Sequence, residues 1–125
     1  MRSMLTETFI QKAEDCLSKG QLERAKVYWW RVYDGSVPGD FSGELALSRL
    51  YQLYWREGAY LQAEQTLRSL IRLYPDEGRH PYALAHILLE QGKFDAARSL
   101  VFELALDPKT RVGAIEIARW MNREL

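Results

Sequence analysis

The chain has 125 residues, and its 17 Lys and Arg balance its 17 Asp and Glu to a formal net charge of zero. That length suits one domain with a sizeable core. The charge balance argues against a nucleic-acid binder or a polybasic membrane contact, both of which need a surplus of cations. The one cysteine, Cys16, rules out an intrachain disulfide, and no stretch approaches the ~20 apolar residues of a membrane span. The opening MRSMLTETFIQKAED has no apolar run long enough for a signal peptide, so a reducing cytoplasm is the expected compartment.

The first helix is expected over residues 4–18, with Ser3 or Thr6 as its cap and Phe9, Ala13, Cys16 and Leu17 on its inner face. Gly20 ends it and a second helix follows. Val27-Tyr28-Trp29-Trp30 with Val32-Tyr33 carries more large apolar side chains than one face can hold. Trp29 and Val32 read as core, while Trp30 is either covered by the next hairpin or the long connection, or forms part of an interface with Tyr33. The turn-rich run from Asp34 to Asp40 then connects to a third helix capped by Asp40 or Ser42.

Leu47, Leu50 and Tyr54 share one face of that helix, and Glu57-Gly58-Ala59 turns the chain into a fourth whose face holds Tyr60, Ala63, Leu67, Leu70 and Ile71. Pro75 stops it, and Asp76-Glu77-Gly78 reads as a corner. Pro81 suits the first turn of a fifth helix, where a missing N–H costs nothing. This helix is expected to reach Gln91, a sixth to span residues 94–106, and a seventh residues 109–123. The seventh divides its apolar residues, with Ile115, Ala118 and Met121 on one side and Ile117 and Trp120 on another. Trp120 therefore either folds back over its neighbours or stays open to a partner.

These elements repeat. Two residues after each turn glycine (Gly20, Gly58, Gly92) stand Leu22, Tyr60 and Phe94, and five after stand Ala25, Ala63 and Ala97. Nine after stand Trp29, Leu67 and Val101, and twelve after stand Val32, Leu70 and Leu104. Four before the glycines are Cys16, Tyr54 and Leu88, and Pro38, Pro75 and Pro108 close the copies. The first copy is degenerate, with Lys12 at an expected apolar position.

A period near 34 residues with this small, aromatic and proline pattern resembles the tetratricopeptide repeat family. The resemblance implies an all-α fold: a right-handed superhelical solenoid of three helical hairpins plus a C-terminal helix. It makes residues 1–125 a single domain, with repeats at about 4–39, 44–77 and 78–108 and the last helix at about 109–123.

The family's concave groove, lined by the first helix of each hairpin, implies a site for a protein or peptide partner. Carried onto this chain, the groove holds Glu7, Ile10 and Glu14, then Ser48, Arg49, Gln52, Trp55 and Arg56, then Arg79, Tyr82, His86 and Glu90. Trp55 and Tyr82 would hold an apolar side chain, and Arg49 and Arg56 would steer acidic groups. The Lys and Asn with which some relatives clamp a terminal carboxylate are replaced here by Ile10, Glu14, Ser48, Gln52 and Tyr82, so that activity is not expected.

Trp30, Tyr33, Ile117 and Trp120 form a candidate second interface through which two copies could pair as a homodimer. The layout is also similar to small chaperones of type III secretion, which hold needle or translocator subunits before export. RNA binding through helical repeats is disfavoured by the charge balance. Catalysis is not expected, since the chain has no phosphate loop, nucleophile elbow or metal-spaced Cys/His cluster, and no cofactor or metal is expected. His80 and His86, six residues apart, fall on different helix faces.

Overall fold

The computed structural model describes residues 4–37, 39–75 and 79–124, which form seven helices and no strand. In order they are α1 (Met4–Ser18), α2 (Leu22–Asp34), α3 (Phe41–Arg56), α4 (Tyr60–Leu73), α5 (Arg79–Glu90), α6 (Phe94–Leu106) and α7 (Arg111–Glu124). The all-α class and the helical hairpins read from the sequence hold. The cap at Ser3, the stop at Pro38 and the corner at Asp76-Glu77-Gly78 lie outside the described residues. Two compact units result, Met1–Tyr74 and Pro75–Leu125. In unit 1, α1 packs on α2, α2 on α3 and α3 on α4; in unit 2, α5 packs on α6 and α6 on α7.

Every hairpin turns in the same way. Gly20, Gly58 and Gly92 have φ of 73°, 77° and 75°, the left-handed region in which a Cβ is strained. Each glycine N–H donates to the carbonyl three residues back, on Leu17, Trp55 and Leu89, at 3.0–3.1 Å. The next N–H, from Gln21, Ala59 or Lys93, donates to Cys16, Tyr54 or Leu88 at 2.8–2.9 Å. This pair of bonds satisfies carbonyls that a helix end leaves open. The carbonyl that follows the glycine then accepts from Ala25, Ala63 or Ala97 at 3.0 Å and starts the second helix.

Those alanines are fully buried, as are Ala13 and Ala85 on the first helices of their hairpins. Small residues there let the two helices approach closely, and Trp29, Val32, Leu50, Leu67 and Leu70 fill the core around them in unit 1. Fully burying one such aliphatic side chain contributes about 1.5–3 kcal/mol. Cys16 is a free thiol buried among them. Lys12, the irregular residue of the first copy, stays exposed with its ammonium 6.0 Å from the centre of the Tyr28 ring.

Local chemistry sets the helix starts. Of the two candidate caps for α3, Asp40 is the N-cap: its carboxylate accepts from Ser42 N–H at 3.4 Å and from the Ser42 hydroxyl at 2.7 Å. The Ser42 hydroxyl bond, more than any other contact, holds the Asp40 carboxyl below the usual range. At the far end of the same hairpin the Tyr74 hydroxyl donates to the Asp40 carbonyl at 2.7 Å.

The seventh helix begins two residues later than the pattern predicts, at Arg111. Residues 107–110 are held in a turn instead. Lys109 N–H donates to the Asp107 carboxylate at 3.0 Å, and the Thr110 hydroxyl donates to the Leu104 carbonyl at 2.6 Å.

Two substitutions separate backbone strain from packing. A Cβ at Gly58 would meet nothing within 4 Å, so Gly58→Ala costs only the left-handed conformation, about 1–2 kcal/mol. Urea unfolding followed by circular dichroism reads that loss. A Cβ at Gly113 on α7 would lie 2.5 Å from Tyr82 Cζ. Helix propensity alone favours alanine there by about 1 kcal/mol, yet Gly113→Ala is expected to destabilise the protein by about 1–3 kcal/mol through overpacking. Adding Tyr82→Leu should restore part of that loss. A more stable Gly113→Ala protein would mean that the ring is not held there.

Candidate functional site

On unit 1 the predicted groove residues come from α1 and α3. Ile10, Glu14, Arg49 and Trp55 are half-buried, and Gln52 and Arg56 are exposed. The guanidinium Nε–H of Arg49 donates to Glu14 Oε1 at 3.3 Å, which joins the first helices of successive hairpins. Both side chains are 40 % exposed, so the pair contributes on the order of 0.2–1 kcal/mol after solvent screening. One turn apart on α3, the rings of Tyr51 and Trp55 lie 6.4 Å apart and tilted by 32°. The face thus combines an aromatic wall, an aliphatic side chain and a partly neutralised arginine. Such a surface can hold a side chain and orient a carboxylate, but it carries no nucleophile–base pair.

On unit 2 the predicted groove residues all come from α5. The Tyr82 hydroxyl donates to the Thr110 carbonyl at 3.0 Å, and its ring lies where Gly113 leaves room. Tyr82 thereby ties α5 to the start of α7. His86, Arg79 and Glu90 are exposed on α5. His80 is buried and His86 is not, so the two imidazoles lie in different surroundings, as their spacing predicts.

Trp30 is half-buried, with its indole N–H donating to the Tyr54 hydroxyl at 3.1 Å and its ring edge-on to Tyr33 at 5.8 Å. The next hairpin therefore covers part of it. On α7, Ile117 is buried whereas Trp120 is 39 % exposed.

Three features escaped the sequence reading. Lys26 is buried at α2, where its ammonium meets Glu57 and Glu23, each at 2.8 Å, and lies 5.0 Å from the centre of the Tyr54 ring. Burial acts to lower its pKa, but the bonds to Glu23 and Glu57 outweigh that and leave it raised. A lysine between apolar residues reads as surface, and only its acidic neighbour across the hairpins explains it.

Phe9 and Tyr28 stack at 6.1 Å with the Arg31 guanidinium 5.6 and 5.7 Å from the ring centres, a cluster on α1 and α2. The third feature is an apolar groove between α6 and α7 lined by Phe102, Ile115 and Ala118. A signal for it was present, because Phe102 stands ten residues after its turn glycine, as Trp30 does.

Among the described residues, no three His, Cys, Asp or Glu lie together as a metal site requires. No described helix is long and apolar enough to cross a membrane. The tetratricopeptide repeat family model matches residues 54–112, from the last turns of α3 to the beginning of α7. No curated protein matches the chain. The family match supports a role in protein–protein interaction. The described residues thus form glycine-turned helix pairs, and over residues 54–112 the chain is similar to the tetratricopeptide repeat family.

Proposed function

We propose that this protein is a small non-catalytic adaptor that receives an extended or helical segment of a partner protein on the first-helix face of unit 1. The observation that carries this reading is the Arg49–Glu14 contact at 3.3 Å. It joins α1 to α3 on the face where Ile10, Gln52, Trp55 and Arg56 stand. Trp55 with Tyr51 supplies the rigid aromatic surface on which interface anchors rest. Arg56, exposed, offers a fixed cation to an acidic group of the segment, and Arg49 becomes available when a partner carboxylate takes the place of Glu14.

Binding there would be moderate and sensitive to salt, because exposed charges are screened within about 10 Å at 0.1 M ionic strength. A chaperone would use the same grip on an amphipathic segment awaiting assembly or export.

The test is affinity capture from the source cell with the wild-type chain and with Arg49→Glu/Trp55→Ala. Neither residue is a core residue, so the melting temperature should fall by only a few degrees, on the order of 1 kcal/mol. Partner recovery should drop at least tenfold, equivalent to about 1.4 kcal/mol or more. Equal recovery by the double variant would move the binding surface off this face.

A further inference from the structure

Each of α1, α3 and α5 has a second helix packed on it, α2, α4 and α6. The last helix, α7, carries the first-helix pattern as well. Ala114, Ile117, Ala118 and Met121 repeat the spacing of Pro81, Leu84, Ala85 and Leu88 in α5. Ala114, Ile117 and Met121 are buried accordingly. The described residues place no second helix on α7. Ala118, at the register of the fully buried Ala13 and Ala85, is only half-buried.

Beside it lies the groove between α6 and α7, about 390 Å³, with Phe102 67 % exposed and Ile115 41 % exposed. Ala105 and Ala118 line it further, and Arg98 and Asn122 stand among its polar residues.

Unit 1 contains the same groove in a partly covered state. Trp30 and Tyr33 stand ten and thirteen residues after Gly20, as Phe102 and Ala105 do after Gly92. Leu47 and Tyr54 on α3 hold the places of Ala114 and Met121 on α7. There α4, packed on α3, lines the space beside α2 with Gln62, Gln65, Thr66 and Ser69 and leaves about 200 Å³. In this fold, what covers such a groove is a helix.

We propose that the α6–α7 groove is a docking site for an amphipathic helix of a partner protein, seated as α4 is seated on α3 beside α2. Its chemistry follows from the differences between the two grooves. Where unit 1 fills space with Tyr33 and meets polar Gln65 and Ser69, unit 2 has Ala105. The incoming helix must therefore bring large aliphatic side chains at those places and a small residue over Ala118.

Its flank is acidic. Arg98 lines the groove, and on the adjoining surface Arg119 and Arg123 outnumber Glu116 beside Asn122. The Asp95 contact of Arg98, at 3.4 Å between exposed side chains, is weak competition. A second copy of this chain is a poorer occupant, since its second helices are already packed in their own hairpins and the Ala114, Ile117 and Met121 stripe of its α7 is buried. This surface is separate from the α1–α3 face proposed above and stands or falls independently of it.

The probe is a fluorescein-labelled synthetic peptide with the sequence of residues 59–75, carrying Arg68→Glu and Arg72→Glu to make its flank acidic and Gln65→Leu and Ser69→Leu, with the peptide lacking the two leucine changes for comparison. Fluorescence anisotropy with the full chain should show saturable one-to-one binding, about tenfold or more tighter for the leucine peptide. Phe102→Glu, at an exposed position and checked for folding by its circular-dichroism melt, should weaken binding about tenfold or more, and Arg49→Glu should leave it unchanged. Absence of saturable binding overturns the proposal, as does binding indifferent to Phe102→Glu. A dimer seen by sedimentation equilibrium that Phe102→Glu dissociates would also overturn it, because the occupant would then be a second copy.

Discussion

The structure depends on a turn in which one residue takes a left-handed backbone conformation. At Gly20, Gly58 and Gly92 that conformation lets two consecutive N–H groups fold back onto the last carbonyls of the preceding helix. The reversal is then so tight that the next helix must lie against the one just ended. Alanine five residues later, fully buried each time, keeps the crossing close. Neither device works alone. The turn without the alanine would splay the pair, and the alanine without the turn would have no fixed partner.

Once that frame is in place, the remaining positions are free to differ, and their differences give each unit its character. Six residues after the glycine, unit 1 has Lys26, drawn in to bridge Glu57 at the next turn, whereas unit 2 has Arg98 beside an open groove. Ten residues after it, Trp30 is partly covered and hydrogen-bonded to Tyr54, whereas Phe102 faces water. A buried ammonium is tolerated only because two carboxylates and a tyrosine ring surround it. An exposed phenylalanine beside Ile115 has no such compensation, and an apolar surface of this kind is favourable only when something covers it.

Ion pairs contribute to placement more than to stability. Arg49 with Glu14 and Arg68 with Glu64 each have at least one well-exposed member, so water screens them and their net contribution is small. What they determine is which polar groups are already engaged. The first-helix face of unit 1 is therefore an amphipathic surface of moderate charge rather than an electropositive patch.

The amino-acid order by itself determined the hairpins, since glycine at each reversal and apolar residues at helical spacing leave little freedom in where helices begin and end. α6 runs from Phe94 to Leu106 as the pattern predicts, and Ala25, Trp29, Val32, Ala63, Leu67 and Leu70, which the repeat places inward, are fully buried, whereas the pattern did not mark Ser42 and Ala46, which are fully buried too. Periodicity tells which face of a helix is apolar; it does not tell which neighbour arrives to cover that face. Only tertiary packing decided that Tyr82 bonds Thr110 beside Gly113, that Trp30 meets Tyr54, and that Arg49 meets Glu14. Each of those contacts joins residues 24 or more apart in the chain, where a helical repeat of 3.6 residues carries no information about partners.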